Sequence, residues 1–156
     1  ILFFERGFCE MFTPIPRIIA EAMMEQKNKS PNRRNPSLHA SGEDYLEAVL
    51  VLQRKKGMVR SVDVARHMGV SKPSVCHAVN SLKDGGFLVM DEDRFLHLTD
   101  VGRDVAEKTY EKHCFFTHLL IDAGVEPKTA EQDACRMEHA ISDNSFQKMK
   151  AGLQNK

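Results

Sequence analysis

The chain has 156 residues, 42% hydrophobic and 28% charged, so it can bury an ordinary core and is neither low-complexity nor fibrous. Its 22 basic and 22 acidic side chains cancel to zero formal charge, which removes bulk electrostatics as an argument for or against nucleic acid. No apolar run reaches membrane-spanning length, and four scattered cysteines (Cys9, Cys76, Cys114, Cys135) form no CxxC pair, which predicts a reduced cytoplasmic protein with no membrane partner.

In chain order, the opening ILFFERGFCEMFTPIPRIIAEAMMEQ is partly apolar, but Glu5, Arg6 and Glu10 interrupt it, a poor fit to a secretory h-region. One reading is an upstream extension with the useful start near Met23. The following KNKSPNRRNPS is polar, basic and Pro-broken, so residues 1–37 are expected to be an extension or linker, with DNA phosphate contact as the alternative. SGEDYLEAVLVLQRKKG then spaces Tyr45, Leu46, Val49, Leu50 and Leu52 as a helix does, with Ser41 as a candidate cap and Gly57 as the stop. SVDVARHMGVSKPSVCHAVNSLKDGGF reads as two short helices about a turn at Gly69. Ser61 is the candidate cap of the first. Ser71 caps the second, with Pro73 in its first turn. Val75, Val79 and Leu82 give that second helix one buried stripe.

FLVMDEDRFLHLT is two short apolar runs about a charged turn, the pattern of a β-hairpin. Helix, helix–turn–helix and hairpin in that order predict a winged helix-turn-helix DNA-binding domain over residues 38–99. A long helix from Asp100 to Ala123, closed by Gly124, is followed by a helix opening near Pro127 or Thr129. A last helix carries Phe146, Met149 and Leu153 on one face. Residues 100–156 thus form a second, helical domain, and the fold class is mainly α.

A helix-turn-helix reads DNA because its second helix fits the major groove and its leading side chains reach base edges. Here Ser71, Lys72, Pro73, Ser74 and His77 can face outward. The serines suit phosphates or bases, Lys72 a phosphate, Pro73 a thymine methyl and His77 a base. Arg60 before the motif and Arg94 in the hairpin turn are phosphate candidates. The plainer alternative is a helical hairpin with a solvated polar face.

DACRMEHAIS puts Cys135, Glu138 and His139 at i, i+3 and i+4, so S, O and N donors project from one helix face. The alternative is a small buried thiol beside a solvated Glu-His edge. Asp44 and Glu47, at i and i+3, are either further oxygen donors or the acidic bias of a helix start. His113, among Phe115, Phe116, Leu119 and Leu120, is either a ligand or a core histidine. There is no HExxH, so a zinc-protease reading fails.

SGEDYLEAV, GVSKPSVCHAVNSL, LTDVGRDVAEKTYEKH and DACRMEHAISD together resemble the diphtheria toxin repressor family of metal-dependent repressors, most closely its shorter manganese transport regulator branch, over roughly residues 38–152. The resemblance implies a winged helix-turn-helix domain, then a helical dimerisation and metal-binding domain without the SH3-like domain of the longer branch. It implies metal ligands at Asp44, Glu47, His113, Cys135, Glu138 and His139. The Asp44 and Glu47 carboxylates match the manganese branch, whereas Cys135 matches the iron branch, so the set is a hybrid. Thr117 stands where the iron branch holds a second-site Glu, which leaves that second site incomplete, and Glu131, in the place of another second-site histidine, is the candidate to compensate.

The function so implied is a homodimeric repressor of metal uptake genes, activated by Mn²⁺ or Fe²⁺ and bound to double-stranded operator DNA. Phe115, Phe116, Leu119 and Leu120 are its candidate dimer surface. A rival is a winged-helix regulator answering to a non-metal ligand or partner. A second is a hydrolytic metalloenzyme with Glu138 as base; the helix-turn-helix pattern argues against it, and no enzymatic activity is expected.

Overall fold

The computed structural model describes residues 40–154; the expectations for the opening segment and the linker lie outside them. Its elements are α1 (Ala40–Lys56), α2 (Ser61–Met68), α3 (Lys72–Asp84), β1 (Leu88–Met90), β2 (Leu96–Leu98), α4 (Asp100–Asp122), α5 (Pro127–Ala140) and α6 (Asp143–Gln154). This is a mainly helical fold with an N-terminal winged helix-turn-helix.

The apolar spacing of α1 buries Leu46, Val49 and Leu50 against Val64 of α2, against Val75, Val79 and Leu82 of α3, and against Phe87, Leu88, Leu96 and Leu98 of the hairpin. α2 ends at Gly69, whose φ of 67° is the left-handed conformation that a tight turn needs and that glycine adopts without strain. Ser71 caps α3 as predicted, its Oγ accepting from Ser74 N–H at 3.3 Å. β1 and β2 pair antiparallel with Leu88 opposite Leu98 and Met90 opposite Leu96, so Leu88, Leu96 and Leu98 face the core while Val89 and His97 face out.

Two predicted caps are corrected. Ser41 lies inside α1, which is already helical at Ala40. Ser61 is the first helical residue of α2, and Arg60 is the cap position. There Asp63, three residues on, accepts the Arg60 N–H at 2.8 Å, and a carboxylate in the first turn also suits the helix dipole.

α4 begins where Thr99 Oγ1 accepts from Gly102 N–H at 3.1 Å. Gly102 is required: a Cβ at that position would stand 1.9 Å from the Phe87 carbonyl oxygen, so the helix can cross the end of the hairpin only without a side chain. α5 opens at Pro127 under Glu126, which accepts from Thr129 N–H at 3.1 Å. A second, small core forms between α4, α5 and α6 from Phe116, Ala134 and Phe146, edged by Phe115, Leu119, Met137 and Ile141. Phe116 is therefore not a dimer-surface residue: it is 1% exposed, enclosed within its own chain by Phe146 and Ala134. Met149 and Leu153, predicted to share the Phe146 face, are both exposed.

Candidate metal centre and nucleic-acid interface

α1 packs one face into the winged helix-turn-helix core and carries acidic side chains near its start. Its first two turns bring Glu43 and Asp44 to α5. His139 Nε2 lies 2.6 Å from Asp44 Oδ1, and Nδ1 lies 2.6 Å from Glu43 Oε2, contacts that close across more than ninety residues of sequence. Glu138, 2% exposed, sits behind this pair. Its Oε2 pairs with His113 Nδ1 at 2.9 Å, while its Oε1, 3.2 Å from His139 Nε2, is buried without a hydrogen bond. Cys135 Sγ stands 3.6 Å from His113 Nδ1.

The donor atoms fall into two groups within 4.8 Å of one another: His113, Cys135 and Glu138, and Asp44, Glu138 and His139. Five of the six sequence-predicted positions are thus brought together, with Glu138 common to both groups. Glu47 belongs to neither group, though it lies near enough for Glu138, His113 and Asp44 to act on its charge. Thr117 and Glu131 also stand outside both; Thr117 is buried with an unpartnered hydroxyl.

So many carboxyls in one buried place resist ionisation. Burial, with the charge of Glu138 adding to it, pushes Glu47 up to about 7. Burial pushes Glu138 up to about 8, against the favourable pull of His139 and with the help of Asp44 and Glu43. Asp44 is raised by burial despite its bond to His139. The Cys135 thiol, buried beside Glu138 and Glu47, is pushed up to about 12. For His139, burial alone would lower the value, but the Glu43 hydrogen bond and the charge of Asp44 outweigh it and raise it. His139 and Lys112 offset this crowding only in part, since Glu138 stays raised. An orphaned buried oxygen, two imidazoles, a thiol and converging carboxyls fit a divalent transition metal in donor type and number.

Sequence reasoning missed Glu43. Its signal was weak, since an acidic residue in a first turn suits the helix dipole and needs no further reason.

In the winged helix-turn-helix, Ser71, Lys72, Pro73, Ser74 and His77 are all exposed on the leading turns of α3, while Val75, Val79 and Leu82 turn inward. Ser71 Oγ and Ser74 Oγ are 2.7 Å apart, so each already has a partner that a phosphate would have to share or displace. The Arg60 guanidinium lies 4.4 Å from the centre of the Phe95 ring, which holds it beside the turn of the hairpin. Arg94 is exposed at the hairpin tip with φ 65°, an uncommon conformation for a residue with a side chain. Asp91 fastens that tip, accepting Phe95 N–H at 2.8 Å and pairing with His97 Nε2 at 2.7 Å.

Residues 37–96 match the family model described as "Iron dependent repressor, N-terminal DNA binding domain", and residues 99–155 match "Iron dependent repressor, metal binding and dimerisation domain". The transcriptional regulator MntR of Escherichia coli O157:H7 is 30% identical over 136 residues, covering 86% of this chain and 88% of that protein. The chain belongs to the diphtheria toxin repressor family, in its MntR-like branch. The HTH-type regulator MntR of Listeria monocytogenes serotype 4a is 31% identical over 109 residues, or 70% of this chain and 77% of that one. A manganese-dependent transcriptional repressor solved in complex with manganese superposes with a TM-score of 0.64 at 25% identity, covering 72% of this chain and 52% of its own. This family member spans about half the length of that solved structure. Membership makes it a DNA-binding transcriptional regulator with a metal-binding and dimerisation domain, not an enzyme. No helix among the described residues is long and apolar enough to cross a membrane.

Proposed function

We propose that this chain is a cytoplasmic homodimeric repressor of metal uptake genes. It binds its operator when Asp44, Glu47, His113, Cys135, Glu138 and His139 hold Mn²⁺ or Fe²⁺. One observation carries the reading: the 2.6 Å contact of His139 with Asp44, which joins the helical domain to the first helix of the DNA-binding domain. When bound, the cation would supply the further positive charge that lets the buried carboxyls and the thiol take their ionised, ligating forms.

The rest follows from this chain's own residues. Asp44 and Glu47 ride on α1, whose other face packs on α3 through Leu46, Val49 and Leu50, so whatever fixes the start of α1 also bears on the recognition helix. α3 enters the major groove with Lys72 on a phosphate and Ser71, Pro73, Ser74 and His77 at base edges, with Arg60 and Arg94 on the flanking backbone. Dimerisation through the helical domain, with the half-buried Phe115, Leu119 and Leu120 as its apolar candidates, sets two copies of α3 about one DNA turn, roughly 34 Å, apart. A ligand shifts such an equilibrium only by binding the DNA-competent state more tightly. The oxygen donors favour Mn²⁺ and the Cys135 thiolate favours later, softer ions, so activation by both Mn²⁺ and Fe²⁺ is expected.

The deciding experiment measures operator affinity across a panel of divalent ions at one salt concentration, since salt alone moves protein–DNA affinity strongly. Activation of about 5–150-fold by Mn²⁺ or Fe²⁺, and its loss in His113→Ala, Glu138→Ala and Asp44→Ala, is expected. Equal operator affinity with and without ions would defeat the metal reading in favour of a regulator answering to something else.

A further inference from the structure

We propose that Glu43 is a positioning residue of the metal centre: its carboxylate holds Nδ1 of His139 and so presents Nε2 of that ring to the ion. The inference rests on the cation-site reading above and adds a residue to it that is not itself a ligand.

The two ring nitrogens of His139 have different surroundings. Nε2 faces Asp44 Oδ1 at 2.6 Å and Glu138 Oε1 at 3.2 Å, the partners with which it forms a three-donor group. Nδ1 faces Glu43 Oε2 at 2.6 Å, and Glu43 belongs to neither donor group. A neutral imidazole carries one N–H. In the metal-free chain both nitrogens can donate to carboxylates. Once an ion takes the place of the Nε2 proton one N–H remains, and a carboxylate accepting from Nδ1 keeps it there and leaves the Nε2 lone pair for the ion. The His139 side chain is only 14% exposed, so water competes poorly for either nitrogen. Because Glu43 and Asp44 are successive residues of one helix, a single turn of α1 holds both edges of the ring, which fixes its plane as well as its tautomer. Outer carboxylates in this role orient the ligand and raise its basicity.

Glu43→Ala and Glu43→Gln are to be compared with the parent chain in two measurements. Titration with Mn²⁺ by calorimetry reads affinity and ions per chain. Long-range ¹H–¹⁵N correlation of the His139 ring reads the tautomer in the metal-free protein, at a pH high enough that the ring is neutral. Glu43→Ala is expected to weaken Mn²⁺ binding about 10–100-fold at unchanged stoichiometry, and to let the Nε2–H tautomer grow. Glu43→Gln, near-isosteric and still able to accept through its amide oxygen, should recover much of both, and it keeps the test valid if the alanine variant folds poorly. If both variants match the parent in affinity and tautomer, Glu43 does not position the ring. A fall in ions bound per chain would make Glu43 a ligand and overturn the proposal equally. A parent chain that takes up no Mn²⁺ or Fe²⁺ would instead overturn the metal reading, a result separable from the others because it appears before any substitution.

Discussion

The two halves of this regulator are held together by different forces. The DNA-binding half has one continuous apolar core running from Leu46 through Val64, Val75 and Leu82 to Leu98 and Ala106. Among the described residues the helical half clusters just Phe116, Ala134 and Phe146, with Phe115 set edge-on to both phenylalanines at 5.3 and 5.2 Å. Beside that small cluster lie the buried polar groups His113, Thr117 and Glu138. In the first half, removal of apolar surface from water fixes the geometry, and no ligand is needed. In the second, buried carboxyls oppose one another, and the neighbouring His139 and Lys112 offset them only in part.

The largest effect expected from breaking the comparison comes from the small aromatic cluster. Phe116→Ala removes its central ring and should cost about 3–5 kcal/mol, the usual range for a buried phenylalanine. The loss should fall on the helical half. Hydrogen exchange is expected to speed up in α5 and α6 while α2 and α3 keep their protection. Equal loosening of α3 would show that the two halves unfold as one.

A pH series on the metal-free protein sharpens the contrast next. Glu47 and Glu138 are raised from 4.5 to about 7 and about 8, so between those limits the folded chain holds protons that the unfolded chain has released. Stability must therefore fall as pH rises from about 5 to 8, since the folded state is then the one binding more protons. The raised His139 acts in the same direction above its ordinary 6.5. Saturating metal should remove or reverse the slope, because an ion takes the deprotonated ligands and competes better as pH rises. Denaturant melts at several pH values, with and without Mn²⁺, would show both behaviours; a metal-free protein that gains stability over this range contradicts the charge crowding.

The smallest effect belongs to the reading surface. Lys72 is exposed in the first turn of α3, so Lys72→Ala should leave stability within about 0.5 kcal/mol. Operator binding should weaken uniformly across sequences, with the log–log salt slope shallower by about one. A change in sequence preference instead would make Lys72 a base reader.

By itself, the sequence determined the element order, because periodicities and punctuation are local. The stripe of Val75, Val79 and Leu82, the Ser71 cap, the left-handed Gly69 and the paired apolar runs of the hairpin act through near neighbours and stand where the pattern placed them. The i, i+3, i+4 spacing of Cys135, Glu138 and His139 likewise marked a donor face on one helix. Tertiary structure decided everything that depends on distant residues. That α1 meets α5 at all, with Asp44 and Glu43 on the two nitrogens of His139, is set by how the long helix α4 leaves the hairpin at Gly102 and returns through α5. Phe116 looked like dimer surface because a sequence shows apolarity but not its partner, and the partner, Phe146, lies thirty residues on. Ser61 gave way as a cap to its neighbour Arg60 because the Asp63 carboxylate took the Arg60 N–H, a choice between adjacent donors that only the folded backbone makes.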